Sequence, residues 1–159
     1  MKKSALTVQD ALDRHGIPSR VVELPASTRT AKDAAKAIGC DVAQIAKSII
    51  FRLKDSNNAV LVIASGSNRI DEKIVSGLLG APIEQADANF VRTVTGFAIG
   101  GVPPLGHRIT PVTVLDQDLA VFNRIWAAAG TPNAVFRLTP SNLQTLTGAN
   151  FHNVARSGD

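Results

Sequence analysis

Lys47 is the first residue whose type and position could serve chemistry. It stands between the apolar positions Val42, Ile45 and Ala46 and the apolar run Ile49-Ile50-Phe51. A lysine at the start of a buried strand can lay its aliphatic stem along the surface with its ammonium in water. It can also hold a phosphate or a developing oxyanion at the rim of a pocket. The pattern alone favours the solvated lysine, and both interpretations stay open.

The interval from Gly100 to His107 is the second such feature. It reads Gly-Gly-Val-Pro-Pro-Leu-Gly-His, which predicts a structured loop because proline lacks an N–H donor and glycine adopts backbone angles closed to other residues. Backbone N–H groups of closely spaced glycines can approach a ligand and bind an oxyanion. A tight connection between strands is an equally good interpretation. His107 could be an acid, a base or a hydrogen-bond donor, or simply exposed.

The remaining reactive side chains give weaker signals, and the common catalytic motifs of hydrolases and nucleotide-binding proteins are absent. Cys40 has no histidine near it in sequence, so a packing role is favoured over a nucleophile. Trp126 is expected to anchor the core. No histidine has a carboxylate at metal-ligand spacing, so neither a metal nor a cofactor is expected; the three are His15, His107 and His152.

Local signals predict the elements that must position these residues. Thr30 precedes a helix that runs through Ile38 and closes at Gly39. Ser48–Leu53 and Ala59–Ala64 flank a polar tip and are predicted to form two central antiparallel strands, with Lys47 at the start of the first.

The rest of the chain mixes helices and strands without the strict alternation of a doubly wound fold. The sequence predicts an α/β protein of the α+β type: a curved mixed, largely antiparallel sheet surrounded by helices, in a single domain over residues 1–159. Further helices are predicted at Thr7–His15, Asp71–Leu79, Asp87–Val94 and Pro140–Thr147, a helical turn at Asp41–Ala46, and strands at Ser19–Leu24, Pro82–Gln85, Gly96–Ile99, Val112–Leu115, Phe122–Ala129, Ala134–Leu138 and Phe151–Val154.

Composition limits the class of protein. With 45% hydrophobic and 19% charged residues, the chain can bury a core, and its single cysteine excludes an internal disulfide. No signal peptide and no apolar run of about 20 residues is present, so a cytoplasmic protein without a membrane partner is expected. The net charge of +4 only weakly favours a phosphate-rich partner, since the basic residues are scattered.

Taken together, three segments resemble the YbaK-type family of aminoacyl-tRNA deacylases, which includes the editing domain of prolyl-tRNA synthetases. Their order and spacing match, and residues 138–143 resemble the family's closing helix, so the resemblance covers nearly the whole chain and implies a YbaK-like fold. The segments are residues 30–39, 44–51 and 95–107, with sequences TAKDAAKAIG, QIAKSIIF and TGFAIGGVPPLGH.

The resemblance implies hydrolysis of the ester between an amino acid and the terminal adenosine of a tRNA. Lys47 matches the family's functional lysine and would hold the phosphate of that adenosine. Gly100 and Pro104 match the ends of the family's G-x-x-x-P loop, whose backbone donors polarise the ester carbonyl, so Lys47, Gly100 and Gly101 are the expected catalytic residues. The expected substrate-binding residues are Ile45, Ser48, Ile50, Ser65, Gly66, Val102, Pro103, Pro104 and His107.

The partners implied are a mischarged aminoacyl-tRNA, with tRNA-Pro as the carrier, and prolyl-tRNA synthetase. The short segment Pro25-Ala26-Ser27-Thr28 lacks the histidine of the cysteine-removing members, which favours alanine, serine, threonine or 2-aminobutyrate without choosing among them. Two alternatives stay open: a non-catalytic tRNA-binding or synthetase-associated module, and a small-ligand binding protein. The sequence does not indicate an oligomeric state.

Overall fold

The computed structural model describes residues 1–157 as five α-helices and one eight-stranded sheet. The helices are α1 (Lys3–Arg14), α2 (Ala31–Ile38), α3 (Glu72–Leu79), α4 (Ala88–Thr95) and α5 (Pro140–Thr147), with short 3-10 helices at Val42–Gln44 and Gln117–Leu119. The strands are β1 (Val22–Glu23), β2 (Ile45–Leu53), β3 (Ala59–Ser65), β4 (Ile83–Gln85), β5 (Val112–Asp116), β6 (Ile125–Ala128), β7 (Ala134–Leu138) and β8 (Phe151–His152).

The sheet is mixed, with the strand order β1-β7-β6-β2-β3-β5-β8 and with β4 added beside β2. Four strand pairs are antiparallel, namely β1–β7, β2–β3, β2–β4 and β6–β7. Three are parallel, namely β2–β6, β3–β5 and β5–β8. The expected class, a mixed and mostly antiparallel sheet with helices packed against it, is confirmed.

The sheet separates two apolar clusters. Every residue of β3 is buried, as expected of a strand covered on both faces. Leu61 and Ile63 belong to the larger cluster, together with residues of α1 and α5, whereas Val60 and Val62 belong to a smaller cluster that includes Val75 of α3. The central hairpin of β2 and β3 is therefore held from both sides.

One edge of β2 is shared by two different strands. β3 pairs with residues 46–52 along the first edge. On the second edge, β6 pairs with Ile45 and Ala46, and β4 pairs with residues 51–53. Among residues 1–157, no strand pairs with the second edge of residues 47–50. This gap in the sheet lies at Lys47.

Several predicted elements are confirmed, and α2 also begins and ends at the residues predicted to cap it. The Oγ1 atom of Thr30 accepts a hydrogen bond from the N–H of Asp33 across 3.0 Å, and α2 ends at Gly39 with a φ of 85°. The β2–β3 hairpin and the helix Pro140–Thr147 are present as expected. No helix among residues 1–157 is long and apolar enough to cross a lipid bilayer.

The strand expected at Gly96–Ile99 is wrong, because the chain forms a bend at residues 96–97 and a turn at residues 99–100. Gly96 ends α4 with a φ of 83°, and its N–H donates to the carbonyl of Arg92. The N–H of Gly101 then closes a turn on the carbonyl of Ala98 at 3.0 Å. Positive φ angles at Gly96 and Gly100 are incompatible with a continuous strand.

Four other elements are shorter than expected by two or more residues, among them the strand predicted at Phe151–Val154, which spans only Phe151–His152. The strand predicted at Phe122–Ala129 spans only Ile125–Ala128, and the one predicted at Ser19–Leu24 spans only Val22–Glu23. The helical turn predicted at Asp41–Ala46 is limited to the 3-10 helix at Val42–Gln44, since Ile45 already belongs to β2.

Candidate active site

A cleft opens at the gap in the sheet, where the loop after α4 approaches β2. It has two lobes, with volumes of about 450 Å³ and 500 Å³. The first, the α2 lobe, extends between the start of α2 and Trp126, and the second, the arginine lobe, extends toward Arg69 and Arg156. Six residues line both lobes and form the junction between them: Lys47, Ser48, Ile49, Ile99, Gly100 and Val102.

Lys47 lies at the junction with its side chain half-buried, and it pairs across the sheet with Ala64. Burial lowers the pKa of its ammonium, the charge of Arg69 lowers it further, and Asp116 partly opposes both effects. When an ammonium has lost part of its hydration, water competes less strongly for it. Its attraction to an anion is then stronger, because electrostatic interactions increase at low dielectric. The position therefore suits a lysine that binds a phosphate or an oxyanion.

The glycine-proline loop is anchored by contacts that only glycine allows. The carbonyl of Gly101 accepts a hydrogen bond from the N–H of Gly130 at 2.9 Å. A Cβ atom on Gly101 would lie 2.9 Å from the backbone nitrogen of Thr131 and 3.0 Å from the carbonyl carbon of Gly130. The backbone of the loop is thus pressed against residues 130–131, which fixes its position relative to β2.

The backbone donors of this loop are not equivalent. The N–H of Gly101 is used within the chain, since it donates to the carbonyl of Ala98. The N–H groups of Gly100 and Val102 have no acceptor within residues 1–157, and both residues line the junction. Gly100 has a φ of 95°, the positive angle that a type II turn requires at its third residue. Gly100 and Val102 can therefore offer donors to a ligand, whereas Gly101 positions the loop.

Three further residues that were predicted to bind substrate line one lobe each. Ile45 and Gly66 line the α2 lobe, and Ile50 lines the arginine lobe. Gly66 allows close approach, because a Cβ atom there would lie 2.4 Å from the carbonyl oxygen of Val42. Ser48 lines both lobes, and its Oγ atom is buried without a hydrogen-bond partner within residues 1–157.

Ser65 and the prolines do not line either lobe. Ser65 is buried at the end of β3, where its N–H donates to the Asp116 carboxylate at 3.0 Å and its Oγ donates to the carbonyl of Ala43 at 2.7 Å. Pro103 and Pro104 follow the two open donors and lie outside the lining. These three predicted substrate-binding residues therefore lie outside the lining of both lobes.

His107 also lies outside the lining of both lobes. Its Nε2–H donates to the carbonyl oxygen of Pro103 across 2.6 Å, since a carbonyl oxygen can only accept. Its Nδ1 atom is buried and has no partner within residues 1–157. Burial lowers the pKa of His107, and the hydrogen bond to Pro103 opposes the effect in part. His107 therefore acts on the loop from outside the cleft.

Several lining residues gave no signal in the sequence. Trp126, expected in the core, is half-buried and lines the α2 lobe. Arg29 also lines this lobe, and its side chain packs over Gly100, where a Cβ atom would lie 2.8 Å from Cγ of Arg29. Arg69 and Arg156 come together only in the folded chain. Tertiary placement, rather than a local motif, brings these residues to the cleft.

A metal cluster and a reactive thiol are two other kinds of centre that can serve catalysis. Among residues 1–157, no group of three or more histidine, cysteine, aspartate or glutamate side chains is placed to hold a metal ion. Burial raises the pKa of the Cys40 thiol, with Asp41 adding to the shift, which makes the thiolate less available.

Comparison with known proteins gives consistent matches. The family model described as the aminoacyl-tRNA editing domain matches residues 25–146. The protein YwhH of Bacillus subtilis (strain 168) is 35% identical over 127 residues, which are 80% of each chain. A solved structure described as a candidate trans-editing enzyme for prolyl-tRNA synthetase is 47% identical, with a TM-score of 0.92 and 99% of each chain covered.

A more distant relative has a named substrate. It is EbsC of Enterococcus faecalis (strain ATCC 700802 / V583), which carries the name of a candidate Cys-tRNA(Pro)/Cys-tRNA(Cys) deacylase. It is 22% identical over 143 residues, covering 88% of this chain and 87% of the relative.

Proposed function

Because the chain belongs to the aminoacyl-tRNA editing domain family, we propose that its cleft removes a mischarged small amino acid from tRNA-Pro. The chain is an aminoacyl-tRNA deacylase, an ester hydrolase that acts in trans. The carrier tRNA-Pro and the link to prolyl-tRNA synthetase are proposed from the descriptions of the structural neighbour and of EbsC. The activity belongs where tRNAs are charged, in the cytoplasm.

The observation that carries the proposal is the junction of the two lobes. It combines one partly desolvated cation, Lys47, with the two open backbone donors of Gly100 and Val102. Donors fixed in advance at the point where negative charge develops stabilise a transition state without reorganisation. An ester placed at this junction would have its carbonyl oxygen near the two N–H groups and a phosphate within reach of the ammonium.

The chemistry then needs only water and the substrate. Water adds to the ester carbonyl, and the oxygen that becomes negative is stabilised by the N–H groups of Gly100 and Val102. The bond between the carbonyl carbon and the ribose oxygen breaks, and a proton passes to that oxygen, which gives a free amino acid and a free tRNA end. A neighbouring ribose hydroxyl of the substrate can assist proton transfer, since no histidine or carboxylate lies at the junction.

The walls of the α2 lobe are suited to a small side chain that carries no positive charge. Its apolar lining is formed by short and branched residues and by Trp126, while Thr28 closes it beside α2. The lining also holds Arg29, Lys32 and Lys47 and, within residues 1–157, no carboxylate, so a basic side chain entering this lobe would lose hydration without an acidic partner. The apolar wall residues are Ala34, Ile38, Ile45, Ala127, Ala128 and Val135.

The proposal is tested by amino acid release from tRNA-Pro charged separately with alanine, cysteine, serine, threonine, 2-aminobutyrate or proline. We expect rapid hydrolysis of one or two of the small mischarged species and no hydrolysis of the proline ester. A hydrophobic pocket discriminates by about 1–3 kcal/mol per methylene, so neighbouring substrates should differ by roughly 10- to 200-fold. No release from any member of the panel, nor from other charged tRNAs, would contradict the proposal.

A further inference from the structure

Two arginines far apart in sequence lie beside each other in the arginine lobe. Arg69 follows β3, and Arg156 follows β8. The N–H of Arg156 donates to the carbonyl of Arg69 across 2.8 Å, and Ile70 and Ala155 form an antiparallel bridge next to them. Backbone pairing thus sets the two arginines side by side, so their proximity does not depend on side-chain contacts.

The arginine lobe holds more positive charge than its own carboxylate can neutralise. Its lining includes Lys47, Arg69 and Arg156, against Glu72 as the one acidic residue. Within residues 1–157, none of the three cations forms a salt bridge. Unneutralised cations around a cavity focus a positive field into it and attract an anion.

The carboxylate of Asp116, which influences Lys47, already accepts hydrogen bonds from other groups of the protein. Asp116 affects the Lys47 ammonium, yet it is fully buried. Its oxygens accept hydrogen bonds from the N–H of Ser65 at 3.0 Å, from Nδ2 of Asn68 at 2.9 Å and from the N–H of Asp118 at 3.0 Å. Asp116 therefore holds the local backbone in place. Within residues 1–157, it forms no salt bridge with the exposed Arg69 or Arg156.

We propose that Arg69 and Arg156 form a second phosphate subsite, which binds the phosphodiester one nucleotide upstream of the phosphate held by Lys47. The proposal rests on the proposed function, in which the ester occupies the junction and the amino acid occupies the α2 lobe. The tRNA end then leaves through the arginine lobe. Guanidinium groups suit this role because their planar set of donors binds phosphate oxygens in pairs.

Two esters of the same small amino acid test the subsite. One is the ester of adenosine 5′-monophosphate, which carries a single phosphate, and the other is the ester of 5′-phosphorylated cytidylyl-adenosine, which carries two. The wild-type protein should hydrolyse the longer ester with a lower KM. In the double variant R69Q/R156Q, this advantage in kcat/KM should fall by roughly tenfold or more, while kcat stays near the wild-type value.

The matched control is the double variant R124Q/R137Q. It removes the same charge from two exposed arginines that line a separate groove with Arg20. The preference for the longer ester should remain as in the wild type. An equal loss of preference in both double variants would show a general charge effect and would overturn the subsite.

Binding of deacylated tRNA over a salt series gives a readout that does not need catalysis. Removal of one single-strand phosphate contact should reduce the slope of log K against log salt by about 0.7 in R69Q/R156Q. The slope should be unchanged in R124Q/R137Q. An unchanged slope in R69Q/R156Q would overturn the subsite. If the wild type hydrolyses neither ester and no charged tRNA, the proposed function fails, and the salt series decides on the subsite alone.

Discussion

The imidazole of His107 donates a hydrogen bond to the carbonyl oxygen of Pro103 across 2.6 Å. This bond links the first and last residues of the segment 103–107. The segment directly follows Gly100 and Val102, whose backbone N–H groups have no acceptor within residues 1–157. The imidazole does not reach the cleft, so its influence on catalysis must pass through the shape of the loop. His107 is in this sense a positioning residue.

Replacement of His107 should lower both the rate of hydrolysis and the stability of the protein, because its hydrogen bond holds the loop in place. We expect H107A to lower kcat by about tenfold to a hundredfold, because small misplacement of catalytic groups is costly, and to lower the free energy of unfolding by about 1–3 kcal/mol, since the Pro103 carbonyl loses its donor. H107Q retains a donor of similar reach and should recover much of kcat. Steady-state kinetics of both variants provides the test, and equal kcat in all three proteins would contradict the positioning role.

His107 should also make stability depend on pH. Burial lowers its pKa in the folded chain below the ordinary value of 6.5. As the pH falls through 6.5 toward the folded pKa, the unfolded chain therefore binds more protons than the folded chain, and the free energy of unfolding decreases. Urea denaturation between pH 8 and pH 5 measures this decrease. H107Q should show a smaller decrease and H15Q, at an exposed position, an undiminished one; a decrease of equal size in H107Q would refute the assignment.

Gly101 should tolerate no side chain. Its Cβ would meet the backbone at residues 130–131 within 3.0 Å, and backbone cannot move aside as a flexible side chain can. We expect G101A to lose about 1–3 kcal/mol of stability together with most activity. G77A is the matched control, because Gly77 lies inside α3 with open space around it and should gain about 0.5–1 kcal/mol. Thermal unfolding of both variants tests this, and a G101A protein as stable as the wild type would contradict the packing.

Trp126 should limit the size of the amino acid accepted by the α2 lobe. W126A removes part of the wall and should raise kcat/KM for a valine or leucine ester relative to an alanine ester by roughly tenfold or more. W126F keeps an aromatic wall and should change this ratio little. Competition between two charged tRNAs in one reaction gives the ratio directly. An unchanged ratio in a folded W126A protein would show that the amino acid lies elsewhere.

The elements with local signals could be predicted from the sequence. The cap at Thr30, the αL residue Gly39 and the polar tip between β2 and β3 each act within a few residues, so α2 and the central hairpin are found where expected. The segment Gly96–Ile99 was misassigned, since apolar residues flanked by glycines suit a buried turn as well as a strand. Its turn is fixed by the bond from the N–H of Gly101 to the carbonyl of Ala98.

The candidate site was predictable only in part. Lys47 and the loop at Gly100 carry a recognisable spacing, and the fold brings both to the junction. Arg69 and Arg156 are separated by more than half of the chain and meet beside a single backbone bridge. Trp126 lines the α2 lobe at the point where β6 pairs with Ile45 and Ala46 of β2. Such placements depend on sheet topology, which one sequence does not specify.

The most direct test of the account is kcat/KM for hydrolysis of a mischarged tRNA-Pro by the wild type and by K47A, with K54A as a control at an exposed lysine of the β2–β3 tip. If Lys47 holds the phosphate at the junction, K47A should lose about 100-fold or more, and K54A should lose nothing. The loss should disappear with an amino acid ester of adenosine that carries no phosphate. A folded K47A protein with wild-type hydrolysis of the charged tRNA would contradict the account.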